Sequence, residues 1–129
     1  MRSYSVAMAS LAIDAPPRWT DNVLSQYHIS GIVLERRGVA RKIPHSALLE
    51  LALIRELNVT LNLGVREAVG IAAALWAHAG EQQFGVLHLS FDRAGLGRAV
   101  ERRLRDALES APAPRRGRPV RRQCPATDL

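Results

Sequence analysis

A chain of 129 residues, 47% of them hydrophobic, is long enough for one small domain with a core and too apolar to be disordered throughout. Its formal charge is +6 and seventeen of its eighteen basic residues are arginine, which suits a polyanionic partner and a GC-rich bacterial genome. No apolar run approaches the ~20 residues that span a bilayer, and a single cysteine, Cys124, excludes a disulfide framework or thiolate metal cage within one chain. A cytoplasmic protein with no membrane partner is expected, because a lone thiol suits a reducing compartment. Arg2 followed by Val6 to Ile13, interrupted by Ser10, is short and weak for an h-region, so no signal peptide is expected. His28, His45, His78 and His88 show no metal-ligand spacing, so no metal or other cofactor is expected.

Residues 3–13 are small and apolar and read as a short helix, broken by Asp14-Ala15-Pro16-Pro17. Proline is tolerated in a first helical turn, so the next helix spans 16–27. Trp19, Val23, Leu24 and Tyr27 share one face of it, and Arg18, Asp21, Asn22 and Ser25 the other. Two short helices about a tight turn, the second with a hydrogen-bonding outer face, make a helix-turn-helix candidate. In residues 31–43, Ile32–Leu34 and Val39–Ile43 flank Glu35-Arg36-Arg37-Gly38, which reads as a hairpin bearing Arg36, Arg37, Arg41 and Lys42: a basic wing. From Pro44 a leucine-rich helix follows (Leu48, Leu51, Ala52, Ile54, Leu57, Leu61), with Gly64 as its expected stop. A helix over 65–80 should bury Val65, Val69, Ala72 and Trp76. Residues 84–92 alternate as one strand, which needs the wing or a second copy of itself as partner. Asp92 caps a last helix, 93–110, with Leu96, Val100, Leu104, Ala107 and Leu108 on one side. Its other side (Arg98, Glu101, Arg102, Arg105, Glu109) reads as a solvated charge face. After Ser110 a proline- and arginine-rich tail is expected to be disordered.

The order helix, turn, helix, basic hairpin, then Arg41-x-Ile43, then Leu48, Leu51, Ile54 and Leu57, then Leu63-Gly64-Val65 and Ala68-Val69 resembles the MerR-type winged helix-turn-helix family over residues 4–79. The resemblance implies a mainly α fold with a small β-hairpin wing, followed here by one strand and a C-terminal helix. It also implies that helix 16–27 enters the major groove of duplex DNA. Arg18, Asn22 and Ser25 would then contact bases or phosphates, and Arg36, Arg37, Arg41 and Lys42 would grip phosphates. Asp21 fits less well on that face. Family regulators end in a long helix that forms an antiparallel dimer coil, often before a sensing domain; this chain has only the strand and the shorter helix.

Residues 111–129 carry five arginines against one aspartate, and Arg116-Gly117-Arg118-Pro119 within them is similar to the AT-hook, which lies in A·T-rich minor grooves. Arg115, Arg116, Arg118, Arg121 and Arg122 are thus DNA-binding candidates, either as such a hook or as a nonspecific charged tail. The organisation expected is a DNA-binding domain over 1–80, a strand-helix dimerisation or packing extension over 81–110, and a tail. With no phosphate loop and no recognisable nucleophile–base setting, no enzyme and no catalytic residue is expected. The reading is a small bacterial, nucleoid-associated transcriptional regulator or architectural factor, homodimeric through 84–110. The alternatives are a protein-interaction adaptor or antitoxin-like partner that docks through the same 84–110 segment, and RNA binding by the tail.

Overall fold

The computed structural model describes residues 3–29, 31–32 and 42–110. These residues form a mainly helical structure with two small antiparallel sheets. The first described element is a strand, β1 (Ser3–Tyr4), where the sequence predicts helix. Ser5 is the reason. Its backbone is extended and its hydroxyl accepts a hydrogen bond from the Met8 amide at 3.2 Å, so helix α1 starts only at Val6 and runs to Ile13. Asp14 then adopts a left-handed conformation (φ 57°), and its amide and that of Ala15 return to the Leu11 and Ser10 carbonyls. Pro16 is extended, and Pro17 takes the first position of α2 (Pro17–Gln26).

Strand β2 (Ile43–Pro44) pairs with β1, Tyr4 opposite Ile43 and Ser3 opposite Pro44. The sequence places Ile43 in the wing and residues 3–13 in a helix, so it carries no sign of this pairing. Residues 33–41, most of the expected wing, lie outside the described residues, as does the whole tail, 111–129.

Helix α3 (His45–Thr60) is central. Its buried apolar residues Ala47, Leu48, Leu51, Ala52, Leu53, Ile54 and Leu57 exceed a single stripe because α1, α4 and α5 all pack against it. Its stop is not Gly64. Asn62 supplies the left-handed residue (φ 57°), the Leu63 amide returns to the Leu57 carbonyl, and the Asn58 side chain donates to the Leu63 carbonyl at 2.7 Å. Gly64, with φ −63°, instead precedes α4 (Val65–Ala77). The buried face of α4 is Ala68, Ala72 and Leu75, while Val65, Val69 and Trp76 are half-buried at its margin. α4 packs on α3, and Val65, Val69 and Trp76 stand at the edge of the buried face rather than inside it.

The single strand expected over 84–92 is a hairpin. β3 (Glu81–Phe84) pairs with β4 (Leu87–Ser90), Phe84 opposite Leu87 and Glu81 opposite Ser90. Gly85 turns the chain with φ 62° at the first loop position, where a II′ hairpin turn takes glycine. The strand's partner therefore lies in the same chain. Helix α5 (Arg93–Ser110) is capped by Asp92, whose carboxylate accepts from the Gly95 amide at 3.0 Å. It packs on α1 and α3, with Val100 and Leu104 buried in the common core and Leu108 exposed.

Candidate nucleic-acid interface

Helix α2 is anchored by its inner face. Thr20, Val23 and Leu24 are buried, and Trp19 and Tyr27 are half-buried against the same core. Thr20 Oγ1 lies 2.8 Å from Ser10 Oγ of α1, which is also 2.8 Å from the Val6 carbonyl. One hydroxyl proton cannot serve both bonds, so Thr20 donates to Ser10 and Ser10 donates to Val6. Sequence reasoning missed this pair. The signal was present: Thr20, Val23, Leu24 and Tyr27 have perfect helical spacing, but threonine does not read as core.

The turn between the helices is gripped from α3. Arg55 Nε donates to the Asp14 carbonyl at 3.2 Å, and its guanidinium lies 5.0 Å from the centre of the Trp19 ring. Arg103 of α5 reaches the Ala12 carbonyl at 3.4 Å. Trp19 Nε1 is buried without a hydrogen-bond partner among the described residues.

With the inner face held, the outer face is defined. Arg18, Asp21, Asn22 and Ser25 are all exposed. Arg18, Asn22 and Ser25 stand at i, i+4 and i+7, one line of about 10 Å along the helix. The Ser25 hydroxyl donates to the Asp21 carbonyl at 2.8 Å. Lys42 is exposed directly before Ile43, which is fully buried. Arg36, Arg37 and Arg41 of the expected wing, and Arg115, Arg116, Arg118, Arg121 and Arg122 of the tail, lie outside the described residues.

Three of the four histidines make side-chain contacts among the described residues. His45 meets Tyr4 and Glu101, His78 the Ala74 carbonyl, and His88 the carboxylate of Glu81 across the hairpin. Among the described residues no group of three metal-ligating side chains occurs, and no helix is long and apolar enough to cross a membrane. No protein-family model, curated protein or solved structure matches this chain.

Proposed function

We propose that this chain is a winged helix-turn-helix protein that binds duplex DNA, with α2 in the major groove, residues 31–43 on flanking phosphates and the arginine tail in an adjacent groove. The observation that carries this reading is the two-sidedness of α2. Its inner face is locked by Thr20, Val23 and Leu24, so Arg18, Asn22 and Ser25 are held outward on one line. That line carries a guanine-reading fork and an adenine-reading amide at a spacing that a groove-bound helix can use. Exposed Val86, Leu87 and Leu108 supply apolar surface in 84–110 for a second copy of the chain, which would double the helix on a two-fold site.

The test is selection of preferred duplexes from a random pool, followed by fluorescence anisotropy. Arg18→Ala and Asn22→Ala should each weaken the selected site by about 1–3 kcal/mol and leave unrelated duplexes nearly unchanged. A protein that enriches no duplex and binds none at low salt would remove the reading.

The same exposed hairpin tip, with Val86 96% accessible, also favours the second reading, in which 84–110 docks a protein partner. Salt separates the two. Binding through phosphates falls steeply between about 50 and 200 mM, whereas an apolar interface barely responds.

A further inference from the structure

We propose that the outer face of α5, together with His45 at the start of α3, is a second binding site for the phosphodiester backbone of duplex DNA. The proposal rests on the DNA-binding reading of α2 and assigns a function to a face that sequence alone reads as solvated charge. Arg98, Arg102 and Arg105 stand at i, i+4 and i+7, so they line one side of α5 over about 10 Å. They border an open cleft of ≈ 540 Å³ that is also lined by Ala94, Gly97, His45 and Glu101. The opposite side of the helix cannot turn outward, because Val100 and Leu104 are buried in the core at 0% and 5% exposure. The three guanidiniums are therefore held on one surface, as a row rather than as scattered charge.

The chemistry of the row fits a repeating monoanion. Guanidinium forks match phosphate oxygens bidentately. Among the described residues that line the cleft Glu101 is the one acidic side chain, and it lies 3.8 Å from His45, which borders the cleft beside it. Arg98 approaches Asp92 at 3.7 Å, but both side chains are about three-quarters exposed, so this pair contributes little and a phosphate can replace it. The small residues leave room for approach: a side chain added at Gly97 would meet nothing within 4 Å. The cleft also lies beside the end of β2, the strand that Lys42 directly precedes. His45 directly follows β2, and the Tyr4 hydroxyl of β1 lies 3.5 Å from its Nδ1.

The experiment is a salt series on the full chain with its selected duplex and an unrelated one. If Arg98, Arg102 and Arg105 each neutralise one phosphate, the triple alanine variant should flatten the log–log salt slope by about 2.7 and weaken both duplexes alike. Arg66→Ala, at an exposed arginine of α4 outside the cleft, should leave the slope unchanged. Gly97→Glu should weaken binding by filling the cleft with an opposing charge, while Gly97→Ala should not. Circular dichroism checks that each variant folds. A triple variant with the native slope, when Arg18→Ala still loses the selected site, overturns the α5 site and leaves the α2 reading standing. An equal loss from Arg66→Ala also overturns it, by reducing the effect to net charge. Absence of any duplex binding by the native chain removes both readings together.

Discussion

Thr20 and Ser10 join α2 to α1 through a hydrogen bond of 2.8 Å between two buried hydroxyls, and this bond helps fix the rotation of α2 about its own axis. Ser10→Ala should cost about 1–3 kcal/mol, because it strands the Thr20 hydroxyl in the core. Pairing it with Thr20→Val, which keeps the shape and removes the second polar group, should recover most of that loss. Urea unfolding of the two single variants and the double variant measures the coupling; additive effects would mean that the bond holds nothing.

Glu50 is a buried carboxyl in α3, 6% exposed, and desolvation raises its pKa above the ordinary 4.5 despite the opposing pull of His28. The folded state therefore binds this proton more tightly than the unfolded chain does. Stability from this group is fully present below pH 4.5 and is lost as pH rises through the raised value. Glu50→Gln should abolish that part of the pH dependence and raise the melting temperature at neutral pH. Thermal melts of both proteins from pH 5 to 8 should converge toward the acid end.

An aromatic stack directly after the hairpin joins it to α4. Phe91 lies over Trp76 with centroids 5.8 Å apart, and the Arg93 guanidinium is 4.3 Å from the Trp76 ring centre and donates to the Trp76 carbonyl. Phe91→Ala should cost about 2 kcal/mol, below the 3–5 of a fully buried phenylalanine because Phe91 is only half-buried. It should also speed amide exchange in β3 and β4 more than in α3.

Asp92 caps α5 in the same stretch. Asp92→Ala should lower stability by about 1 kcal/mol, and Asp92→Asn should cost much less, since asparagine keeps the acceptor. Chemical denaturation of the pair separates the cap from any effect of charge.

The arginine tail has its own discriminating outcome. Arg116→Ala with Arg118→Ala should weaken an A·T-rich duplex more than a G·C-rich one if the Arg116-Gly117-Arg118-Pro119 core reads a narrow minor groove. Equal losses on both duplexes would make the tail a nonspecific phosphate contact. Fluorescence anisotropy on the full chain decides between them.

Local signals were enough to find the helices. Pro16-Pro17, Pro44 and Asp92 mark helix starts by removing or satisfying backbone donors, and the apolar period between them marks the buried sides. The exposed line Arg18, Asn22, Ser25 was legible for the same reason, as the complement of an apolar stripe on one short helix. What only the tertiary structure decided involves partners distant in sequence. Ser3–Tyr4 is a strand because Ile43–Pro44 pairs with it, and Glu81–Phe84, with no apolar alternation of its own, is a strand because Leu87–Ser90 folds back on it. The buried side of α4 is Ala68, Ala72 and Leu75, set by its packing against α3 rather than by its own apolar period. Likewise the row Arg98, Arg102, Arg105 is visible in sequence only as charge. It becomes one wall of a cleft because burial of Val100 and Leu104 sets the rotation of α5 and brings His45 of α3 beside it. Periodicity along a chain identifies which face of an element is apolar; what stands opposite that face depends on contacts between segments far apart, and these exist only once the core has closed.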